Sequence, residues 1–183
     1  MALTDAPAAR ADDRGGDLVL WVLVWSELAA FGLLLAGFMI MSILHPEAFA
    51  AAKLHLSPRL ASFNTVILLL SGWLAALAAK AREGGPAQRA CLLSTGGLGL
   101  AFVAVKLLEY QSEWRFAGDA AFSSFFELYF LITGFHLAHV AFIALLFLLV
   151  ARRPDRTNVV ILTTIWHVVD LVWLVMFPVI YLG

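Results

Sequence analysis

Five apolar runs, each about as long as a bilayer is thick, leave this chain little choice of solvent. A helix that crosses a membrane needs about 20 mostly apolar residues at 1.5 Å rise per residue. Residues 18–44, 62–79, 90–110, 124–151 and 158–182 each meet that length. Helix-breaking or charged punctuation separates them: His45-Pro46, Ser57-Pro58, Gly84-Gly85-Pro86 and Arg152-Arg153-Pro154. Buried strands are the alternative for apolar runs, but these are too long, and Leu and Ala dominate several of them. With 62% hydrophobic residues, 14% charged ones and a mean hydropathy of +0.91, a 183-residue soluble core could not hide the apolar surface. The expected fold is all-α, a polytopic membrane bundle of five transmembrane helices.

Residues 1–17 are polar, with four aspartates and two arginines, and lack the cleavage pattern of a signal peptide. They read as a mobile tail ahead of a membrane domain over 18–183. The loops are short, so lysine and arginine set the orientation. Arg10, Arg14, Lys80, Arg82, Arg89, Arg152, Arg153 and Arg156 fall on one side, eight in all, against Lys53, Arg59 and Arg115 on the other, three in all. The amino terminus is therefore expected in the cytoplasm and the carboxyl terminus across the membrane, with a bacterial inner or plasma membrane as the location. The net charge of −1 gives nucleic acid no footing, and a lone Cys91 precludes an internal disulfide.

Ionisable residues inside the runs carry the functional question. His167 and Asp170 lie three apart in TIWHVVDLVW, about 14 Å into the fifth run by helical rise. Glu27 in WSELAAFG sits at similar depth in the first, and His136 and His139 in GFHLAHV in the fourth. Facing lipid, such groups cost about 2.5–3.5 kcal/mol each on the mildest scale, so one shared interhelical region is their expected home. There they lock helices by hydrogen bonds, relay protons or bind a ligand. A metal or haem site is also open, but no cysteine cluster or His-x-x-x-His pair supports it. A second polar set lies toward the far side: Asn64, Lys106, Glu109 and Glu127. Here the plain reading is structural, with Lys106 pairing with Glu109 and snorkelling, Asn64 bonding across helices, and Glu127 facing another neighbour. Trp21, Trp114 and Tyr181 suit interfacial belts. Trp166 and Trp173, seven apart, suit packing against a partner. Gly96, Gly97 and Gly99 allow close helix approach, and Pro178 bends the last turns.

Five segments in order, one per run, resemble subunit III of the haem–copper oxidase superfamily: SELAAFG (26–32), FNTVILLLSG (63–72), LLEY (107–110), TGFHLAHV (133–140) and WHVVDLVWL (166–174). Better-known members often have seven helices. Five is similar to the quinol-oxidase branch and to the accessory membrane subunit of nitric oxide reductase, and the short length and the YFLITGFHLAHV form of the fourth run (129–140) resemble the latter more. The resemblance implies a non-catalytic subunit that binds no cofactor itself, holds phospholipid, and supports proton uptake and durability in a haem-containing catalytic partner. It also implies roles for single residues. Glu27 matches the family's buried, carbodiimide-reactive carboxylate. His136, His139, His167 and Asp170 match polar positions of its later helices, and Glu109 matches a carboxylate of the third helix here. Two rival readings stay open: a b-haem electron carrier ligated by His136 or His139 with His167, and a small proton-coupled transporter.

Overall fold

In the computed structural model, residues 6–117 and 122–182 are described, with side chains from Leu18 onward except Val19. The described elements are α1 (Ala6–Leu44), α2 (Pro46–Lys53), α3 (Pro58–Lys80), α4 (Pro86–Ala117), α5 (Ser123–Val150), α6 (Arg156–Phe177) and a terminal π-helical turn (Pro178–Leu182). Five of these helices are long and apolar enough to cross a membrane. The protein is an all-α polytopic membrane bundle.

Proline sets most of the boundaries. Pro46, Pro58 and Pro86 occupy the first positions of α2, α3 and α4, where the missing N–H costs nothing. Asp155 caps α6 by accepting from the Asn158 amide at 3.3 Å. Gly84 turns the chain between α3 and α4 with φ of +68°, a conformation that favours glycine, and its amide donates to Gln88 Oε1 at 2.9 Å.

The long helices close a ring in the order α1, α5, α4, α3, α6 and back to α1, with α5 also packing across the ring on α6. The α3–α4 seam carries polar contacts at heptad spacing. Asn64 donates to Phe102 O at 3.1 Å and Gln88 to Ala78 O at 3.2 Å; midway between them the Thr95 hydroxyl, whose proton goes to Cys91 O at 2.9 Å in its own helix, lies 3.4 Å from Ser71 O. Seven-residue steps on both antiparallel helices keep the seam in register. The α3–α6 seam is similarly laced. Thr163 donates to Ala75 O at 3.4 Å, Trp166 Nε1 to Ser71 Oγ at 3.2 Å, and Trp173 Nε1 to Thr65 Oγ1 at 3.0 Å. In a bilayer, where lipid is as apolar as leucine, such bonds and close backbone packing hold helices together. Gly96 and Gly99 provide the packing. A Cβ on Gly96 would stand 2.8 Å from Ala144 O, and one on Gly99 2.7 Å from the Trp166 ring.

Several expectations change. α1 begins at Ala6, so much of the stretch read as a tail before residue 18 continues the first helix, helped by Ala6, Ala8, Ala9 and Ala11; residues 1–5 lie outside the described ones. The first far-side loop contains α2, whose Phe49 is buried edge-to-face against Phe38 and Phe125. Trp166 and Trp173 are buried within the chain, not presented outward. Tyr181 is buried rather than interfacial: beyond Pro178, which has no N–H to offer, the wider π turn brings Ile180 and Tyr181 inward.

Candidate functional site

The sequence expectation of one shared region for Glu27, His136, His139, His167 and Asp170 is not what the helices build. They occupy three places. Glu27 of α1 and His139 of α5 meet at the α1–α5 seam, with Nε2 3.0 Å from Oε2, both side chains about one-fifth exposed. His139 Nδ1 lies 2.7 Å from Phe135 O. A carbonyl can only accept, so Nδ1 carries a proton. The Nε2–Oε2 contact lies outside hydrogen-bond alignment.

His136 lies deeper, in the core, with Phe31 packed between it and His139. It stacks on Trp173 at 5.2 Å between centroids, with Phe31 and Phe102 edge-on. Neither ring nitrogen has a hydrogen-bond partner. His167 and Asp170 form the third place, in a groove between α3 and α6, with Nδ1 3.9 Å from Oδ2. The reason for the separation is angular. Residues three apart on a helix differ by about 60° at 3.6 residues per turn, enough for His136 and His139 to face different neighbours.

The polar centre of the molecule is the far-side set instead. Lys106 is wholly buried, and its ammonium has three protons to place. They go to Glu109 Oε2 at 3.0 Å, to the Tyr129 hydroxyl at 2.7 Å, and to the Tyr181 hydroxyl. Tyr181 donates its own proton to Glu109 Oε1 at 2.9 Å. The 3.0 Å contact between the two tyrosines must therefore be Tyr129 donating to Tyr181. Every donor in this circuit is used, and one cation balances one carboxylate. Four rings surround the ammonium, those of Tyr110, Tyr129, Trp173 and Tyr181, at 4.8–5.7 Å from their centroids. Such faces attract a desolvated cation. Beside the circuit, Thr133 gives its proton to Tyr129 O at 2.6 Å, so Tyr110 donates to Thr133 at 2.7 Å.

Lys106 thus pairs with Glu109 as expected but does not snorkel. Asn64 bonds across helices, and Glu127 is exposed and outside the cluster. The carboxylate that sequence reasoning passed over is Glu113. It is buried beside Lys106, Glu109 and Tyr129, and although Tyr129 and Glu109 lie close enough to interact with it, neither of its oxygens meets full hydrogen-bond distance and angle. The signal was present: Lys106, Glu109 and Glu113 at i, i+3 and i+7 share one face of α4. Tyr129 and Thr133 likewise share a face of α5.

Comparison with known proteins adds an independent line. A family model described as cytochrome c oxidase subunit III matches residues 23–183. Among curated relatives, a probable cytochrome c oxidase subunit 3 of Mycobacterium tuberculosis is 31% identical over 127 residues, 64% of this chain and 63% of that protein. The match therefore spans under two thirds of that relative's length. The cytochrome bo(3) ubiquinol oxidase subunit 3 of Pseudomonas aeruginosa is 26% identical over 185 residues, 94% of this chain and 88% of the relative. The cytochrome c oxidase subunit 3 of Thermostichus vulcanus is 27% identical over 177 residues, 90% of this chain and 86% of the relative.

Proposed function

This chain belongs to the cytochrome c oxidase subunit III family, and we propose that it is a non-catalytic membrane subunit of a haem–copper respiratory oxidoreductase. In this reading it sits in the bacterial inner membrane and supports the stability, proton uptake or assembly of a haem-bearing catalytic chain. The observation that carries the reading is how its ionisable groups are used. Lys106, Glu109, Tyr129 and Tyr181 exhaust one another's hydrogen bonds inside a helix seam. That is how a bundle fixes its own packing, and it leaves none of these groups free for a substrate.

The relatives carry the names of cytochrome c and quinol oxidase subunits, which favours an oxygen-reducing partner over a nitric oxide reductase. Phospholipid would find a seat in the apolar groove between α1 and α6, of about 120 Å³, floored by Phe31, Gly32 and Met176. A b-haem carrier is disfavoured by geometry. It needs two imidazoles facing one macrocycle, yet His136 is stacked on Trp173, His139 faces Glu27, and His167 opens into the α3–α6 groove. Free alternating access is disfavoured by the laced α3–α4 and α3–α6 seams.

Purification in mild detergent tests the proposal. The chain should co-elute with a larger haem-bearing polypeptide and, once separated from it, show no Soret band. Stoichiometric haem in the separated chain, or a chain that never co-elutes with a haem protein, would overturn it.

A further inference from the structure

The groove between α3 and α6 holds a feature that lipid cannot satisfy. Its walls are apolar and outward-facing, formed by Leu69 and Trp73 of α3 and Leu171 and Leu174 of α6, around a volume of about 350 Å³. On its floor lies Asp170, more than nine-tenths buried: Oδ1 is sealed inside the protein without a hydrogen-bond partner, and Oδ2 is the oxygen that borders the groove. His167 beside it is 47% exposed, and its Nδ1, at 3.9 Å from Oδ2, is too far for a hydrogen bond. Gly72 makes the arrangement possible. A Cβ there would stand 2.5 Å from Asp170 Oδ2, so this oxygen rests against bare α3 backbone at the edge of the groove.

Depth decides what can cover it. Asp170 is about 21 Å from the start of α6 by helical rise, and Gly72 about 12 Å from the end of α3. The groove therefore opens in the hydrocarbon core, out of reach of headgroups. An acyl chain fits the leucine and tryptophan walls but has no hydrogen-bond donor for Asp170. A half-exposed histidine and an unpartnered carboxyl at that depth are costly against lipid and are normally covered by protein. A transmembrane helix meets both demands, with apolar side chains for the walls and one hydroxyl, amide or indole donor for the carboxyl.

We propose that the α3–α6 groove docks a transmembrane helix of the haem-bearing partner chain, which donates a hydrogen bond to Asp170. The inference rests on the subunit reading above. It places the partner on the face opposite the outward side of α5, which lies between α1 and α4 in the ring.

Photocross-linking in membranes holding the assembled complex tests it. Trp73→p-benzoylphenylalanine and Leu174→p-benzoylphenylalanine put the probe on the groove walls. Phe142→p-benzoylphenylalanine puts it on the exposed face of α5. These positions face outward, so the fold tolerates the probe. The first two should cross-link to the haem-bearing polypeptide, and the third should not. In parallel, Asp170→Leu should lower the co-purified haem chain at least fivefold, with Asp170→Asn retaining most of it. Cross-links from Phe142 alone, from the groove to a second copy of this chain, or from no position despite co-purification would each overturn the inference while leaving the subunit reading standing. Absence of any co-purifying haem chain would end both.

Discussion

At the scale of single residues, the Lys106 circuit concentrates the electrostatic risk. A buried ion pair contributes little against an apolar replacement of both partners, but removal of one partner strands the other. Lys106→Met leaves Glu109 with one donor, from Tyr181, and should destabilise the bundle by about 3–5 kcal/mol. The double variant Lys106→Met/Glu109→Gln removes both charges of the pair and should recover most of that loss. Reversible SDS unfolding in mixed micelles reads both. Equal losses in the single and double variants would mean that the ammonium acts through its packing rather than its charge. Glu113 invites the opposite outcome. Its oxygens fall short of hydrogen-bond geometry even toward the nearby Tyr129 and Glu109, and the Lys106 ammonium beside it is already matched by Glu109. Glu113→Gln should therefore leave stability unchanged or raise it by about 1 kcal/mol, within the range for replacing an unpaired buried polar group. A loss of several kcal/mol in the same unfolding assay would show that Glu113 holds a partner of its own.

At the scale of helices, the glycines of α4 separate what spacing can reveal from what it cannot. Gly96, Gly97 and Gly99 look alike in sequence. Gly96 and Gly99 press on α5 and on Trp166, whereas a Cβ on Gly97 would meet open space. Gly99→Ala should cost about 1–3 kcal/mol through overpacking, and Gly97→Ala should be neutral or gain up to about 1 kcal/mol from helix propensity. Thermal melts in detergent would rank the two, and a reversed order would mean that α4 is rotated about its axis. The same limit explains what the sequence revealed. The five spans and their proline boundaries were legible because length and apolar content are properties of one helix. The α3–α4 seam was half legible: Asn64 stood out, but Gln88 and Thr95 gain meaning only when antiparallel packing sets them opposite Ala78 and Ser71. Which histidine faces which neighbour depends on the ring order of helices. No spacing within one helix encodes that order, so His136 and His139 looked like a pair while facing different surroundings. Tyr181 was misread because its inward turn follows from the π-helical end after Pro178, not from its own type.

At the scale of the whole molecule, the ring order and the charge bias together predict how the bundle sits across the membrane. Its far-side end gathers α2, the starts of α3 and α5, and the ends of α4 and α6. It carries few basic residues outside the spans, whereas the opposite end holds Arg82, Arg89, Arg152 and Arg153. Short basic loops resist translocation, so that end should face the cytoplasm. The buried Lys106 circuit, about 16 Å by helical rise from the far end of α4, then lies in the outer half of the bilayer. Two exposed positions test the arrangement in a Cys91→Ser background: Leu54→Cys, after α2, and Arg152→Cys, after α5. A membrane-impermeant maleimide applied to intact spheroplasts should modify the first and spare the second until the membrane is opened. The reverse pattern would invert the bundle and place the Lys106 circuit on the cytoplasmic side. The α3–α6 groove, being near mid-depth, would keep its docking geometry either way, so the orientation and the partner surface stand or fall separately.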